Sequence, residues 1–349
     1  MAQWEKIQIK RDDGMTAEAQ APVIISASRS TDIPAFYADW FFHRLKVGYS
    51  AWTNPFNGVK SYVSYDHCRF IVFWSKNPKP LLCHLNELEE RNIGCYIQYT
   101  LNDYEKEGLE KGVPSLVERI ETFKQLVIRL GKGRVIWRFD PLVLTDQIDI
   151  DGLLKKVEMI GDQLKGYTEK LVFSYADIAL YRKVKANLEK NHVNYQEWST
   201  SQMEQFAIRL VELNKTKGWN YALATCGEVA DLDGIEHNHC VDDGRMIRFS
   251  HNDNALMDFL GVDIKPIQDF LFLPEKSMML EDGRIAIRKK DNQDKGQRKA
   301  CCCVVSKDIG EYDTCPHLCE YCYANTSKNK AVENYKRHRK DPLGETITG

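Results

Sequence analysis

The densest chemistry in the chain lies near its C-terminal end, in Cys315-Pro316-His317-Leu318-Cys319-Glu320-Tyr321-Cys322, where three cysteines are spaced C-x3-C-x2-C. Three thiolates held this close suit three irons of one cubane cluster and leave the fourth iron without a protein ligand, open to chemistry. The competing chemistry is a zinc knuckle, in which Cys315, Cys319 and Cys322 are joined by a fourth ligand such as His317 or another cysteine. Structural zinc sites commonly use two pairs of ligands rather than a triplet, so the spacing favours iron–sulfur chemistry.

A second group of thiols is looser. Cys301-Cys302-Cys303 just precede the triplet, and Cys226 and Cys240 bracket the segment from Gly227 to His239. Adjacent cysteines cannot comfortably share one metal, whereas residues i and i+2 of an extended segment face the same side. Cys301 and Cys303 are therefore expected to join Cys226 and Cys240 in a four-thiolate site, either a closed auxiliary iron–sulfur cluster or a structural zinc. The alternative is that Cys226 and Cys240 are ordinary buried thiols. Cys68, Cys83 and Cys95 fall in or beside core elements and are read as packing residues.

Single polar residues also mark places where chemistry could occur. Arg138 and Asp140 flank an apolar run and read either as a substrate clamp or as a structural ion pair. Lys76, with Trp74 and Asn77, offers an amine to a carboxylate or phosphate, although a surface lysine is commonplace. Asp177 and Glu228 carry the same ambiguity, and His237 and His239 stand near enough to Cys240 to support a metal site.

The elements that must position these residues alternate. Strand-like apolar runs at 23–26, 49–53, 70–74, 95–101, 135–139, 171–174 and 220–225 are separated by helical stretches at 35–47, 80–91, 115–130, 150–164, 178–190 and 201–217. Repeated βα units bury both faces of a parallel sheet. A TIM-like (β/α) barrel is preferred to an open doubly wound sheet because polar residues follow the strands: Ser28 to Asp32 the first, Asn54 to Asn57 the second, Ser75 to Asn77 the third, Arg138 and Asp140 the fifth. No GxGxxG or GxxxxGK[ST] follows a strand, which sets aside dinucleotide and P-loop readings.

These readings divide the chain into a polar segment at 1–21, a barrel at 22–226, and a peripheral lobe or excursion at 227–300 with a helix at 254–260 and an apolar patch at 267–273. A cysteine-rich segment at 301–325 completes the barrel, and a basic tail follows at 326–349. The 349 residues are 43% hydrophobic and 28% charged, enough for a large core with a solvated surface, which excludes global disorder. Forty-eight Lys and Arg against 50 Asp and Glu leave a formal charge of −2, so no global field favours a polyanion. No apolar run approaches the roughly 18 residues needed to span a bilayer. A cytoplasmic protein with mostly reduced thiols is expected, with six of its 11 cysteines after residue 300.

Longer blocks carry a resemblance. Ile25-Ser26-Ala27-Ser28-Arg29-Ser30-Thr31-Asp32-Ile33-Pro34, Val72-Phe73-Trp74-Ser75-Lys76-Asn77-Pro78, Val135-Ile136-Trp137-Arg138-Phe139-Asp140-Pro141, Thr225-Cys226-Gly227-Glu228, Gly234-Ile235-Glu236-His237 and Asp308-Ile309-Gly310 leading into the triplet are similar to blocks of the microbial family catalogued as domain of unknown function 1848. The similarity spans about residues 22 to 325. The triplet, with Tyr321 just before its third cysteine, also resembles the signature of radical S-adenosylmethionine enzymes, which carry it near the N-terminus.

That second resemblance implies a 4Fe–4S cluster on Cys315, Cys319 and Cys322 whose open iron chelates S-adenosylmethionine, reductive cleavage to a 5′-deoxyadenosyl radical, and Tyr321 near the adenine. It implies a small reductant such as flavodoxin or ferredoxin and a substrate that the sequence does not name. In the superfamily the triplet follows the first barrel strand, and a glycine-rich segment after the second helps to hold the amino group. Here the triplet comes last, so a circularly permuted barrel would place a final strand within 304–312 beside the first. The loop from Ser28 to Asp32 would then replace the glycine-rich segment, with Asp32 accepting from the amino group and Arg29 pairing with the carboxylate. A DNA-repair subclass with similar CPxxCxYCY sequences makes a nucleic-acid substrate conceivable, against the charge balance. Two other classes remain open: a zinc-stabilised module whose basic tail binds nucleic acid, and a metal-independent barrel hydrolase using Asp32, Asp140 or Asp177.

Overall fold

The computed structural model describes residues 4–54, 57–270, 272–298 and 300–349. Its centre is a sheet of eight strands: β1 (Ile24–Ala27), β2 (Phe70–Ser75), β3 (Gly94–Thr100), β4 (Val135–Leu142), β5 (Lys170–Tyr175), β6 (Ala222–Thr225), β7 (Glu236–His237) and β8 (Lys307–Asp308). Every pairing is parallel, and the spatial order is β8-β1-β2-β3-β4-β5-β6-β7. Each strand lies beside its sequence neighbour except β8, which returns from the far end of the chain and sets Lys307 opposite Ile25 and Asp308 opposite Ser26. The protein is thus a mixed α/β fold on a large parallel sheet, with a strand inside the expected 304–312 window beside the first.

The two faces of the sheet follow from strand alternation. Ile25, Ile71, Phe73, Ile97, Tyr99, Trp137 and Leu171 pack against the crossover helices, which are α1 (Ala38–Val47), α2 (Leu85–Glu90), α3 (Leu116–Leu130), α4 (Ile150–Leu164), α5 (Arg182–Lys190) and α6 (Thr200–Thr216). Residues one step along, Ile24, Phe70, Val72, Tyr96, Ile136 and Val172, form a separate cluster with Val241, Met246, Ile247 and Val304. All six crossover helices share one face. Local sequence fixes several of them: Ser115 accepts the Glu118 N–H at the start of α3 and Gly131, at φ 93°, ends it, while Asp149 caps α4 through Gly152 N–H.

Three expectations change. The strand Tyr49–Thr53 is not part of the parallel sheet; it pairs antiparallel with Lys60–Ser64 in a separate four-stranded sheet. Only a short turn separates the two, whereas a parallel connection needs a dozen or more residues, so a hairpin is the available solution. Asn54 and Asn57 therefore belong to that hairpin rather than to the rim of the parallel sheet, and Pro55 and Phe56 lie outside the described residues. The N-terminal segment, read only as polar, holds strands Lys6–Lys10 and Thr16–Gln20, in which Ile9 and Ala19 alternate with polar residues and bury against Tyr49.

The segment 227–300, expected to be peripheral, covers the sheet face opposite the crossover helices. It supplies β7, helices α7 (Asp243–Ser250) and α8 (Asn254–Leu260), and an antiparallel sheet of Val262–Pro266, Arg284–Arg288 and Ser277–Met279. Met246, Ile247, Leu256, Met257 and Leu260 fill the second core cluster. Of the apolar patch at 267–273, Phe272 and Leu273 are exposed and Leu271 lies outside the described residues. A further helix, α9 (Lys328–His338), carries the basic tail. Among the described residues no helix is long and apolar enough to cross a membrane.

Candidate functional site

Parallel strands present their carboxyl ends together, and loops leaving them build sites. A cavity of about 340 Å³ lies there, bounded by the loops after β1, β2, β4, β5 and β6 and by the C-terminal segment. Both thiol groups reach it: Cys315, Cys319 and Cys322 from one side, Cys226, Cys240, Cys301 and Cys303 from another. All eleven cysteines are free thiols. Among the described residues no group of three or more His, Cys, Asp or Glu side chains is placed to hold a metal ion as the side chains stand.

The triplet loop is seated by charges that the sequence reading assigned elsewhere. Asp32 Oδ2 accepts the Lys76 N–H at 2.7 Å and lies 2.8 Å from His317 Nε2, while its Oδ1 caps the short helix Ile33–Phe36 through Ala35 N–H at 3.0 Å. His317 Nδ1 faces the Gly112 carbonyl at 3.0 Å, and Gly112 N–H donates back to the His317 carbonyl at 3.1 Å. Both ring nitrogens thus stand at hydrogen-bond distance from protein oxygens, so neither is turned to the three thiols. His317 as the fourth ligand of a zinc knuckle is therefore corrected: it orients the loop through Asp32 and Gly112.

Lys76 points under the triplet. Its Nζ donates to Glu110 Oε1 at 2.7 Å and to the Tyr321 hydroxyl at 3.0 Å. The Tyr321 hydroxyl also donates to Glu110 and accepts from Asn102 Nδ2 at 3.0 Å. Burial works against the Lys76 charge, but Glu110 and the Cys319 thiol outweigh it and raise its pKa. Burial likewise opposes ionised Glu110, yet Lys76 and Arg119 hold it down at about 2. Burial pushes the Cys315 and Cys319 thiols up, so ionised sulfur there needs a cation beside it.

Arg29, Arg138 and Asp140 belong to the other side. The Arg138 guanidinium donates to Asp140 and, through Nη1, to Cys240 Sγ at 3.2 Å and Gln98 Oε1 at 3.3 Å. Asp140 also accepts from the Ser174 hydroxyl. Arg29 lies 5.4 Å over the Trp74 ring, on whose plane Arg138 also packs at 5.3 Å. Burial opposes the Arg29 charge, and Cys303, Asp308, Cys240 and Cys301 more than offset it. Its Nη2 is buried with no hydrogen-bond partner. Two of the thiols are close, Cys226 Sγ lying 3.2 Å from Cys240 Sγ, while Cys303 Sγ accepts from Val241 N–H at 3.3 Å.

Some residues that shape the cavity were missed in the sequence. Asp308, at the end of β8, accepts from Ser26 Oγ (2.9 Å), Ser28 Oγ (2.6 Å), Arg29 N–H (2.9 Å) and Gly310 N–H (3.0 Å), joining the last strand to the first loop. Ser28 thus ties the first loop to β8 while also lining the cavity. Glu110 and Asn102 lie in a loop without periodicity that gave no signal. Glu228 lines the cavity, where burial and Asp177 push its carboxyl up to about 7. His237 bonds the exposed Asp231 at 2.7 Å rather than a thiol.

A parallel α/β sheet wound in one direction, with a thiol-lined cavity at its strand ends, defines the class of protein. The chain belongs to the family described as Domain of unknown function (DUF1848), which it matches over residues 24–324. No curated protein and no solved structure matches it.

Proposed function

We propose that the chain is a radical S-adenosylmethionine-type iron–sulfur enzyme on a circularly permuted (β/α) barrel. Cys315, Cys319 and Cys322 would hold three irons of a 4Fe–4S cluster, which, when bound, supplies the electron that cleaves S-adenosylmethionine to a 5′-deoxyadenosyl radical. The observation that carries the reading is that all three thiols open onto one cavity of about 340 Å³ at the strand ends. That volume falls in the range of about 300–1,000 Å³ typical of small-molecule sites.

The residues present fit such a group. The donor set is all sulfur once His317 is turned to Asp32 and Gly112. Lys76, beside Cys319, supplies a positive charge to an anionic centre, and Glu110 and Asn102 hold Lys76 and Tyr321 in place. Arg29 keeps a carboxylate-binding role through its unpartnered Nη2. Asp32, by contrast, is occupied in seating the triplet loop, and we assign it that orienting role instead of the amino group. Arg138 and Asp140 hold each other at the far wall.

The barrel reading is supported by sequential strand order, by six crossover helices on one face, and by β8 beside β1. A flavodoxin or ferredoxin is the proposed electron donor, and the reducing cytoplasm the proposed compartment. A hydrolase is less favoured, since Asp32 and Asp140 are already engaged, and the formal charge of −2 disfavours nucleic acid.

The test is anaerobic purification with iron and sulfide quantitation, followed by electron paramagnetic resonance of the reduced protein with and without S-adenosylmethionine. A cluster signal that shifts on adding S-adenosylmethionine, and that Cys319→Ser abolishes, is expected. Protein that binds zinc but no iron would sink the reading.

A further inference from the structure

Among the described residues the sheet has two unpaired edges, β7 and β8, and the second thiol group lies between the segments that leave and approach them. Cys240 follows β7 by three residues, and Cys303 precedes β8 by four. The two segments are already joined by the Val304 N–H donating to the Val241 carbonyl at 2.9 Å. Cys226 comes from the end of β6, so three separate parts of the chain deliver thiols to one place.

We propose that Cys226, Cys240, Cys301 and Cys303 bind a single zinc ion that clasps the two edges of the parallel sheet together. This goes beyond the reading of the Cys315 loop and does not rest on it. The spacing of Cys226 and Cys240 suits two thiolates on one metal atom and not one thiolate per iron of a cubane. Cys226 Sγ and Cys240 Sγ are 3.2 Å apart. A tetrahedron with zinc–sulfur bonds of about 2.3 Å has an edge of about 3.8 Å. Thiolates on different irons of a cluster stand farther apart than that. Cys301 and Cys303 line the same cavity as Cys240, and turning these outer thiols to the same ion closes the site.

The surroundings match a four-thiolate zinc, which carries two negative charges. Arg138 Nη1 and Asn238 Nδ2 donate to Cys240 Sγ at 3.2 and 3.0 Å, and Val241 N–H donates to Cys303 Sγ at 3.3 Å. Arg138 is buried, and Arg29 stands beside Cys303 and Cys240, so two guanidinium groups face two surplus charges. The position of Cys240 is itself fixed, since its carbonyl accepts from the Tyr96 hydroxyl and from Gln98 Nε2, both at 2.7 Å. Zinc binding here is an exchange of thiol protons for metal, with no change of oxidation state.

Metal content of the full chain tests this, read separately for the two thiol groups. The triple variant Cys315→Ser, Cys319→Ser, Cys322→Ser is expected to keep one zinc per chain, and Cys240→Ser to lose it. If Cys240→Ser fails to fold, cobalt substitution of the wild-type chain gives a second readout: the visible bands of tetrahedral four-thiolate cobalt. Iron and sulfide retained by the triple variant would overturn zinc in favour of an auxiliary cluster. A Cys226–Cys240 disulfide found by mass spectrometry, or no metal in the triple variant, would also overturn it. Failure of the radical reading would appear elsewhere, as absence of iron from the wild-type protein with the zinc still present.

Discussion

Glu110 sits in a buried cluster whose energetics can be worked out. Its carboxylate faces Lys76 Nζ at 2.7 Å and Arg119 Nη1 at 3.8 Å, with its side chain 1% exposed. Against an ordinary value of 4.5, its pKa is held at about 2 because Lys76 and Arg119 together outweigh burial. At about 1.36 kcal/mol per pKa unit, the ionised form gains about 3 kcal/mol on folding. The folded value is the lower one, so this stability is fully present above about pH 4.5 and is lost as pH falls through the folded value near 2. Glu110→Gln removes it and leaves two cations facing an amide, so a loss of about 3 kcal/mol is expected at neutral pH. The gap from wild type should shrink to about 1 kcal/mol by about pH 3. Urea unfolding of the two proteins across this range measures it. A gap under about 1 kcal/mol at neutral pH, or one that acid leaves unchanged, would refute the reasoning.

Two glycines give sharper local tests. A Cβ at Gly112 would stand 2.6 Å from the His317 carbonyl oxygen and 2.8 Å from that of Pro316, so Gly112→Ala must push the triplet loop away; iron content several-fold below wild type with unchanged far-ultraviolet circular dichroism is expected. A Cβ at Gly161 would meet the Trp219 ring at 2.6 Å, and neither residue lines the cavity onto which the thiols open. Gly161→Ala should cost about 1–3 kcal/mol by overpacking, seen as a lower Tm, with metal content unchanged.

The alternation of apolar runs and helices was legible because most strands of the parallel sheet are buried on both faces and the helices carry periodic apolar stripes with readable ends, as at Ser115 and Gly131. Tyr49–Thr53 was legible as a strand but not in its pairing. Its partner Lys60–Ser64 is polar and partly exposed, and nothing local marks it. The cysteines announced themselves by spacing, whereas the residues that seat them did not. Asp308 finds Ser28 across 280 positions and His317 finds Asp32 across 285, so their roles exist only once the sheet has brought the chain ends together. His317 is the instructive case: its place inside the triplet suggests a ligand, and the tertiary neighbours on both of its nitrogens decide otherwise.

The pairing of β8 with β1 also orders events during synthesis. The outer edge of Ile24–Ala27 has no partner strand until Lys307 and Asp308 leave the ribosome. At about 5–20 residues per second, that wait is roughly a quarter of a minute to a minute. A bare strand edge invites association with other nascent chains for all of that time, so shielding of the N-terminal half by a chaperone is the natural companion of this topology. Cys301, Cys303 and the triplet emerge at the same late moment, so the metal loading proposed for them follows the arrival of β8 at the sheet.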